Sequence, residues 1–153
     1  MEKILKLNSN DHITIPLFTG EAEVEVFSAG DNCYTEDGDY KEDGFALNEA
    51  ELEVLNWFLE HININDYRKE ITAYCNERYD MIGEKMITEE DLPSEVEIFA
   101  IAINVTTLFQ SNDGFLYPEI SFYGWCECDP EHGICIGFRD KKFLGINAQD
   151  WTL

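Results

Sequence analysis

The chain has 153 residues, 44% hydrophobic and 13% aromatic, and its 10 Lys and Arg set against 32 Asp and Glu leave a formal net charge of −22. That length fits one domain over residues 1–153, and the apolar content excludes an acidic disordered tail, which would pair high charge with low hydrophobicity. The charge also excludes direct binding to nucleic-acid phosphates and docking on anionic membrane, both of which need clustered Lys and Arg; a basic partner is its natural counterpart.

From Met1 to Asn8 charges mix with short apolar steps, without the apolar core of a signal peptide. The longest apolar run, around Ile98 to Ile103, falls far short of the ~20 residues of a membrane span. Cys33, Cys75, Cys126, Cys128 and Cys135 make an odd set, awkward for a secreted disulfide framework. The expected setting is cytoplasmic, with reduced thiols.

Two alternating runs come first. In His12 to Phe18, Ile13, Ile15 and Leu17 share one face; in Ala22 to Phe27, Ala22, Val24 and Val26 alternate with Glu21, Glu23 and Glu25. With Thr19-Gly20 between them they predict a hairpin with one buried and one carboxylate-lined face. Residues 28–44 carry three glycines and six acids without strong periodicity, which reads as a loop or irregular edge. Between Glu21 and Glu53 lie 12 acids and one base, Lys41, so half of the net charge occupies about a fifth of the chain.

Asn48 and Glu51 form a capping-box pattern at the head of a helix whose apolar face is Leu52, Leu55, Phe58, Leu59 and Ile62. A second helix, capped by Asn65 or Asp66, would bury Tyr67, Ile71, Tyr74 and Cys75 and fade near Gly83. Their short connection predicts an antiparallel helical pair. Val96 to Ile103 reads as a central strand, apolar on both faces. A turn at Asn112-Asp113-Gly114 and strands at Ile120 to Cys128, Ile134 to Phe138 and Phe143 to Ile146 follow, the last two joined through Arg139 to Lys142. The expected fold is α+β: an antiparallel sheet, built from the N-terminal hairpin and a C-terminal meander, with the helical pair packed on one face.

Cys126 to Cys135 gathers three cysteines, a histidine and three acids. One reading is zinc held by Cys126, Cys128, His132 and Cys135. Strand parity opposes it. Burying Ile120, Phe122, Cys126 and Cys128 together with Ile134, Ile136 and Phe138 needs even positions opposite even, such as Cys126 opposite Ile136. Cys135 then stands beside Glu127 on the other face. Small buried thiols are the plainer account. A second reading takes Glu127, Asp129, Glu131 and His132 as acid/base groups or hard-cation ligands. Carboxylates two apart also describe any solvated strand face, however, and His132 before Gly133 suits a turn. Gly133 to Gly137 lacks the third glycine and following helix of a cofactor loop. The residues therefore predict no catalytic, metal or cofactor site.

The run Cys126-Glu-Cys-Asp129-Pro-Glu131-His132-Gly133-Ile-Cys-Ile-Gly-Phe138, with Gln149-Asp150 beyond it, resembles a family of small uncharacterised bacterial domains. Their late hairpin carries Cys-Glu-x-Asp-x-Glu-His-Gly, an apolar strand and a Gly-x-x-Asp ending. Ile15-Pro-Leu-Phe18, Leu55-Asn-Trp-Phe-Leu59 and Tyr74 extend the likeness upstream. Cys128 stands where the family has an aromatic, Cys135 where a glycine is common, and Asn147 where the ending has its glycine. The resemblance implies no activity; the family's small, acidic character is similar to that of immunity proteins paired with bacterial toxins.

The expected function is accordingly that of a binding protein, of immunity or inhibitor type, whose acidic surface neutralises a basic effector such as a nuclease. The expected contacts are Glu36, Asp37, Asp39, Glu42 and Asp43 on the loop with Glu21, Glu23 and Glu25 on the hairpin. Two alternatives stand beside it. One is a nucleic-acid mimic that occupies a DNA-binding protein; the other is an enzyme or metal-binding domain using Glu127, Asp129, Glu131 and His132 at the signature turn, with Gly133.

Overall fold

The computed structural model describes residues 2–105 and 117–152; the expected turn at Asn112-Asp113-Gly114 lies outside them. Among the described residues six strands form one sheet in chain order: β1 (His12–Leu17), β2 (Gly20–Ser28), β3 (Val96–Ile103), β4 (Ile120–Cys126), β5 (Ile134–Arg139) and β6 (Lys142–Asn147). Between β2 and β3 come α1 (Glu49–His61), α2 (Arg68–Met81) and the single turn α3 (Leu92–Glu95). The domain is α+β.

The wholly antiparallel sheet is corrected by one pair. β2 and β3 run parallel, Glu25 beside Ala100 through Ser28 beside Ile103, while every other neighbouring pair is antiparallel. Parallel neighbours require a crossover of about a dozen residues or more. The helical segment is that crossover, joining the hairpin to the meander.

Local signals account for most element boundaries. Asn48 Oδ1 accepts from the Glu51 N–H at 2.9 Å and Glu51 Oε1 from the Asn48 N–H at 3.0 Å, completing the box that starts α1. The second helix begins later than expected. Asn63 accepts from the Asn65 N–H at 2.9 Å and opens a 3-10 turn over Ile64–Tyr67, so α2 starts only at Arg68. Asp140 and Lys141, both at positive φ (51° and 63°), make the two-residue link between β5 and β6, the conformation whose twist matches a hairpin.

A row of cross-strand neighbours, Val26, Ile101, Phe122, Ile136 and Ile146, runs across the helix-covered face. Phe58 of α1 packs on Phe122 and Phe138, with ring centroids 4.8 and 5.3 Å away, and Tyr67 packs on Phe138 and Phe143. Leu55, Phe58 and Ile71 are fully enclosed in this cluster, each contributing ~1.5–3 kcal/mol by leaving water. α1 makes its contacts with β3 and β4, and α2 with β6 and the flanking 3-10 turns. The other face is part-covered as well: Ala100, Ala102, Ser121 and Cys135 are buried there, and Pro118 and Trp151 close over Gly137.

Even positions face even across β4 and β5, but four residues away from the expected alignment. Phe122 lies opposite Ile136 and Gly124 opposite Ile134, so β4 stops at Cys126 and residues 127–133 are turn. Cys135 therefore stands beside Tyr123 rather than Glu127. The turn is longer than a strand extended to Cys128 allows, because Asp129 to Gly133 form their own hydrogen-bonded loop.

Candidate functional site

The acidic segment is ordered by its own chain. Tyr34 and Tyr40 pair as an isolated antiparallel bridge, and between them the Thr35 N–H donates to Asp39 O at 2.7 Å and the Gly38 N–H to Thr35 O at 2.9 Å. The result is a miniature hairpin, turned at Gly38 (φ 86°). Glu36, Asp37 and Asp39 are exposed at its tip, and Glu42 and Asp43 are exposed just beyond. The two tyrosine rings lie 4.7 Å apart with their hydroxyls 3.1 Å from each other, and both are exposed. Hydrogen bonding to Tyr40 pushes the Tyr34 phenol up.

Lys41 does not neutralise this surface. Its Nζ donates to Asn32 Oδ1 at 2.9 Å and lies over the Phe45 ring; no ion pair to a loop carboxylate exists among the described residues. The loop is anchored through Glu51, which is fully buried. Its carboxylate accepts from Asn32 Nδ2 at 2.5 Å, from the Asn48 N–H and from Ser28 Oγ, tying loop, helix start and the end of β2 together.

Glu21, Glu23 and Glu25 project from the opposite side of β2 to Val24 and Val26, as alternation requires. The hairpin row and the loop meet at Asn10. Its Nδ2 donates to Glu25 Oε1 at 2.6 Å and its Oδ1 accepts from the Gly44 N–H at 3.4 Å. The eight acids expected at the binding surface thus belong to two stretches stitched side by side. Sequence reasoning missed the tyrosine pair, although Asp37-Gly38 between two tyrosines is a hairpin signal.

The signature turn is knitted to its surroundings. Asp129 Oδ1 accepts from the His132 N–H at 3.3 Å and lies 2.9 Å from His132 Nδ1. Arg78, which stacks over Tyr74, feels the Asp129 charge. The Gly133 N–H donates to Asp129 O, the Gln149 N–H to His132 O, and the Gln149 side chain to Gly124 O. Glu127 and Glu131 face solvent. Gly133 sits at φ 68°, and a Cβ there would meet the Gly124 carbonyl oxygen at 2.6 Å. A side chain in that left-handed region costs ~1–2 kcal/mol before any collision. Gly133→Ala is therefore expected to lower stability by ~2–3 kcal/mol, whereas His132→Ala, at a side chain 57% exposed, leaves the denaturation midpoint nearly unmoved. Urea unfolding of the two variants checks this ordering.

All five thiols are unpaired and buried. Cys126, whose Sγ lies 3.7 Å from Asp129 O, neighbours Cys128, and Cys128 neighbours Cys75, on the helix-covered face, while Cys135 neighbours Ser121 on the other. Parity thus separates Cys135 from the rest, and among the described residues no group of three or more His, Cys, Asp or Glu is arranged to hold a metal ion. The neighbouring Cys128 thiol and then burial push the Cys126 thiol up. Burial pushes Cys135 up to about 12, against the opposing influence of the neighbouring Ser121 hydroxyl.

A raised folded value means that the stability held by protonated Cys135 is whole below about pH 9, where a free thiol ionises, and is lost as pH rises toward 12. Stability is expected to fall above pH 9, by about 1 kcal/mol at pH 10 from this thiol alone. Cys135→Ala should flatten that slope; urea midpoints across pH 8–11 measure it.

Fold and site together define a small α+β domain with a mixed sheet, a stitched acidic face and a hydrogen-bonded late turn. The chain belongs to the family described as a domain of unknown function, DUF6985, whose model matches residues 3–153. No curated protein and no solved structure matches it. No helix among the described residues is long and apolar enough to cross a membrane.

Proposed function

We propose that this protein is a binding module whose acidic face docks a basic protein, in the manner of an immunity or inhibitor protein that neutralises an effector. The observation that carries this reading is the miniature hairpin, which holds the exposed Tyr34–Tyr40 pair among Glu36, Asp37, Asp39, Glu42 and Asp43. Carboxylates supply steering and selectivity. Tyrosines supply rigid contact area and an electron-rich ring face for Lys or Arg. The buried Glu51 anchor fixes the loop beforehand, which reduces the ordering entropy paid on association. Five unpaired cysteines support a reducing, cytoplasmic setting.

The test is affinity capture from the source cells, with mass spectrometry of the bound protein, followed by a Tyr34→Ser/Tyr40→Ser variant. The reading expects one basic protein. It expects the double variant to bind that protein at least about tenfold more weakly, as loss of exposed ring contacts predicts, with an unchanged thermal midpoint. A captured acidic protein, or equal binding by the variant, contradicts it.

A further inference from the structure

The β2–β3 ladder begins only at Glu25 and Ala100. Upstream of that point, among the described residues, Gly20 to Val24 have no partner on β3 and no other strand fills the gap. It leaves a groove of about 350 Å³ between the β1–β2 turn, the start of β3 and the end of β4, at the lower end of the size of ligand pockets, ~300–1,000 Å³. Its walls include Leu17, Pro93 and Val96, with Trp125 partly exposed among them. Two carboxylates, Glu21 and Glu97, also line it, and no Lys, Arg or His does so among the described residues. Both are exposed, and Glu97 is the cross-strand partner of Trp125. Neither carboxylate has a hydrogen bond or ion pair to another side chain among the described residues.

An indole face beside two uncommitted carboxylates in an apolar-walled slot fits one kind of group: a planar cation on an apolar stem. A guanidinium stacks on indole, pairs with carboxylate through parallel N–H bonds, and is more weakly hydrated than an ammonium. We propose that this groove receives an arginine side chain of the basic protein partner, with Trp125 as the stacking surface and Glu21 and Glu97 as the counter-charges. The inference rests on the reading above and deepens it. Glu21 is the first residue of the Glu21, Glu23, Glu25 row, so the row leads from the acidic loop to an anchoring slot rather than ending at a bare turn.

The experiment titrates a short arginine–glycine peptide, and the same peptide with neutral citrulline in place of arginine, into the labelled full chain. The readout is the indole N–H signal of Trp125, assigned with a Trp125→Phe variant. The arginine peptide is expected to shift that signal saturably and the citrulline peptide to leave it in place. Glu21→Gln/Glu97→Gln, exposed isosteric changes that keep the fold, should weaken binding by at least about tenfold, the loss of one well-placed charged pair. A variant neutralised only at Glu36, Asp37 and Asp39 should still show the Trp125 shift. Binding that leaves Trp125 unmoved and responds only to the loop variant overturns this inference and leaves the docking reading standing. A wild-type chain that binds neither peptide overturns the inference and speaks against the docking reading too.

Discussion

Glu51→Ala is expected to lower stability by about 2–4 kcal/mol, because each partly buried donor left without its acceptor costs ~1 kcal/mol and a lost cap adds ~1. The substitution removes the fully buried carboxylate that accepts from the Asn48 N–H, one arm of Asn32 and the Ser28 hydroxyl, all three bonds part-buried. For a chain of this size the midpoint of thermal unfolding should drop by roughly 10 °C. Glu53→Ala, two residues along and exposed, should leave it in place. The Glu51 variant should also be cut faster by protease within residues 31–44, since Asn32 keeps its bond to Ala46 O but loses the one to the helix start. Equal midpoints for the two variants would show that Glu51 is an ordinary helix-start carboxylate and that the loop is held by something else.

Neutralising the loop with Glu36→Gln, Asp37→Asn, Asp39→Asn, Glu42→Gln and Asp43→Asn together should have the opposite profile. None of these side chains accepts a hydrogen bond from another residue among those described, and all five are exposed, so folding should be untouched. Association with the captured basic protein should slow by about tenfold to a thousandfold, the range over which electrostatic steering acts. Most of the change should fall on the association rate, because rim charges govern encounter and buried anchors govern dissociation. The Tyr34→Ser/Tyr40→Ser variant should change dissociation instead. A variant that keeps wild-type rates at low salt would reduce the acids to a solvating coat.

Local chemistry made much of this legible in advance. The capping box at Asn48 and Glu51 and the spacing of Leu55 and Phe58 define α1 without reference to anything distant. Alternation fixes which face of β2 carries Glu21, Glu23 and Glu25. Parity alone placed Cys135 away from Cys126 and Cys128, since one residue of slip would have turned a whole strand over. What stayed hidden depends on distant partners. Nothing in Gly20 to Ser28 announces a parallel neighbour some 70 residues on; the pairing exists because α1 and α2 carry the chain back across the sheet.

Glu51 shows the same limit within one side chain. Its bond to Asn48 spans three residues and is readable, whereas those to Asn32 and Ser28 span 19 and 23 and are not. The tyrosine pair was hidden differently: so many acids surround Asp37-Gly38 that the turn signal reads as irregular loop. The extra length of the late turn follows from Gly133, whose left-handed conformation lets residues 127–133 close on themselves before β5 begins.

The central claim is that the stitched acidic face is a docking surface. Its most direct test is the association rate of the captured partner with the wild-type and loop-neutralised chains, measured across ~50–500 mM salt, over which screening shortens to a few ångströms. A steep fall with salt is expected for the wild-type chain, a much shallower one for the variant, and convergence of the two at high salt. Parallel, shallow salt profiles with equal rates would contradict it.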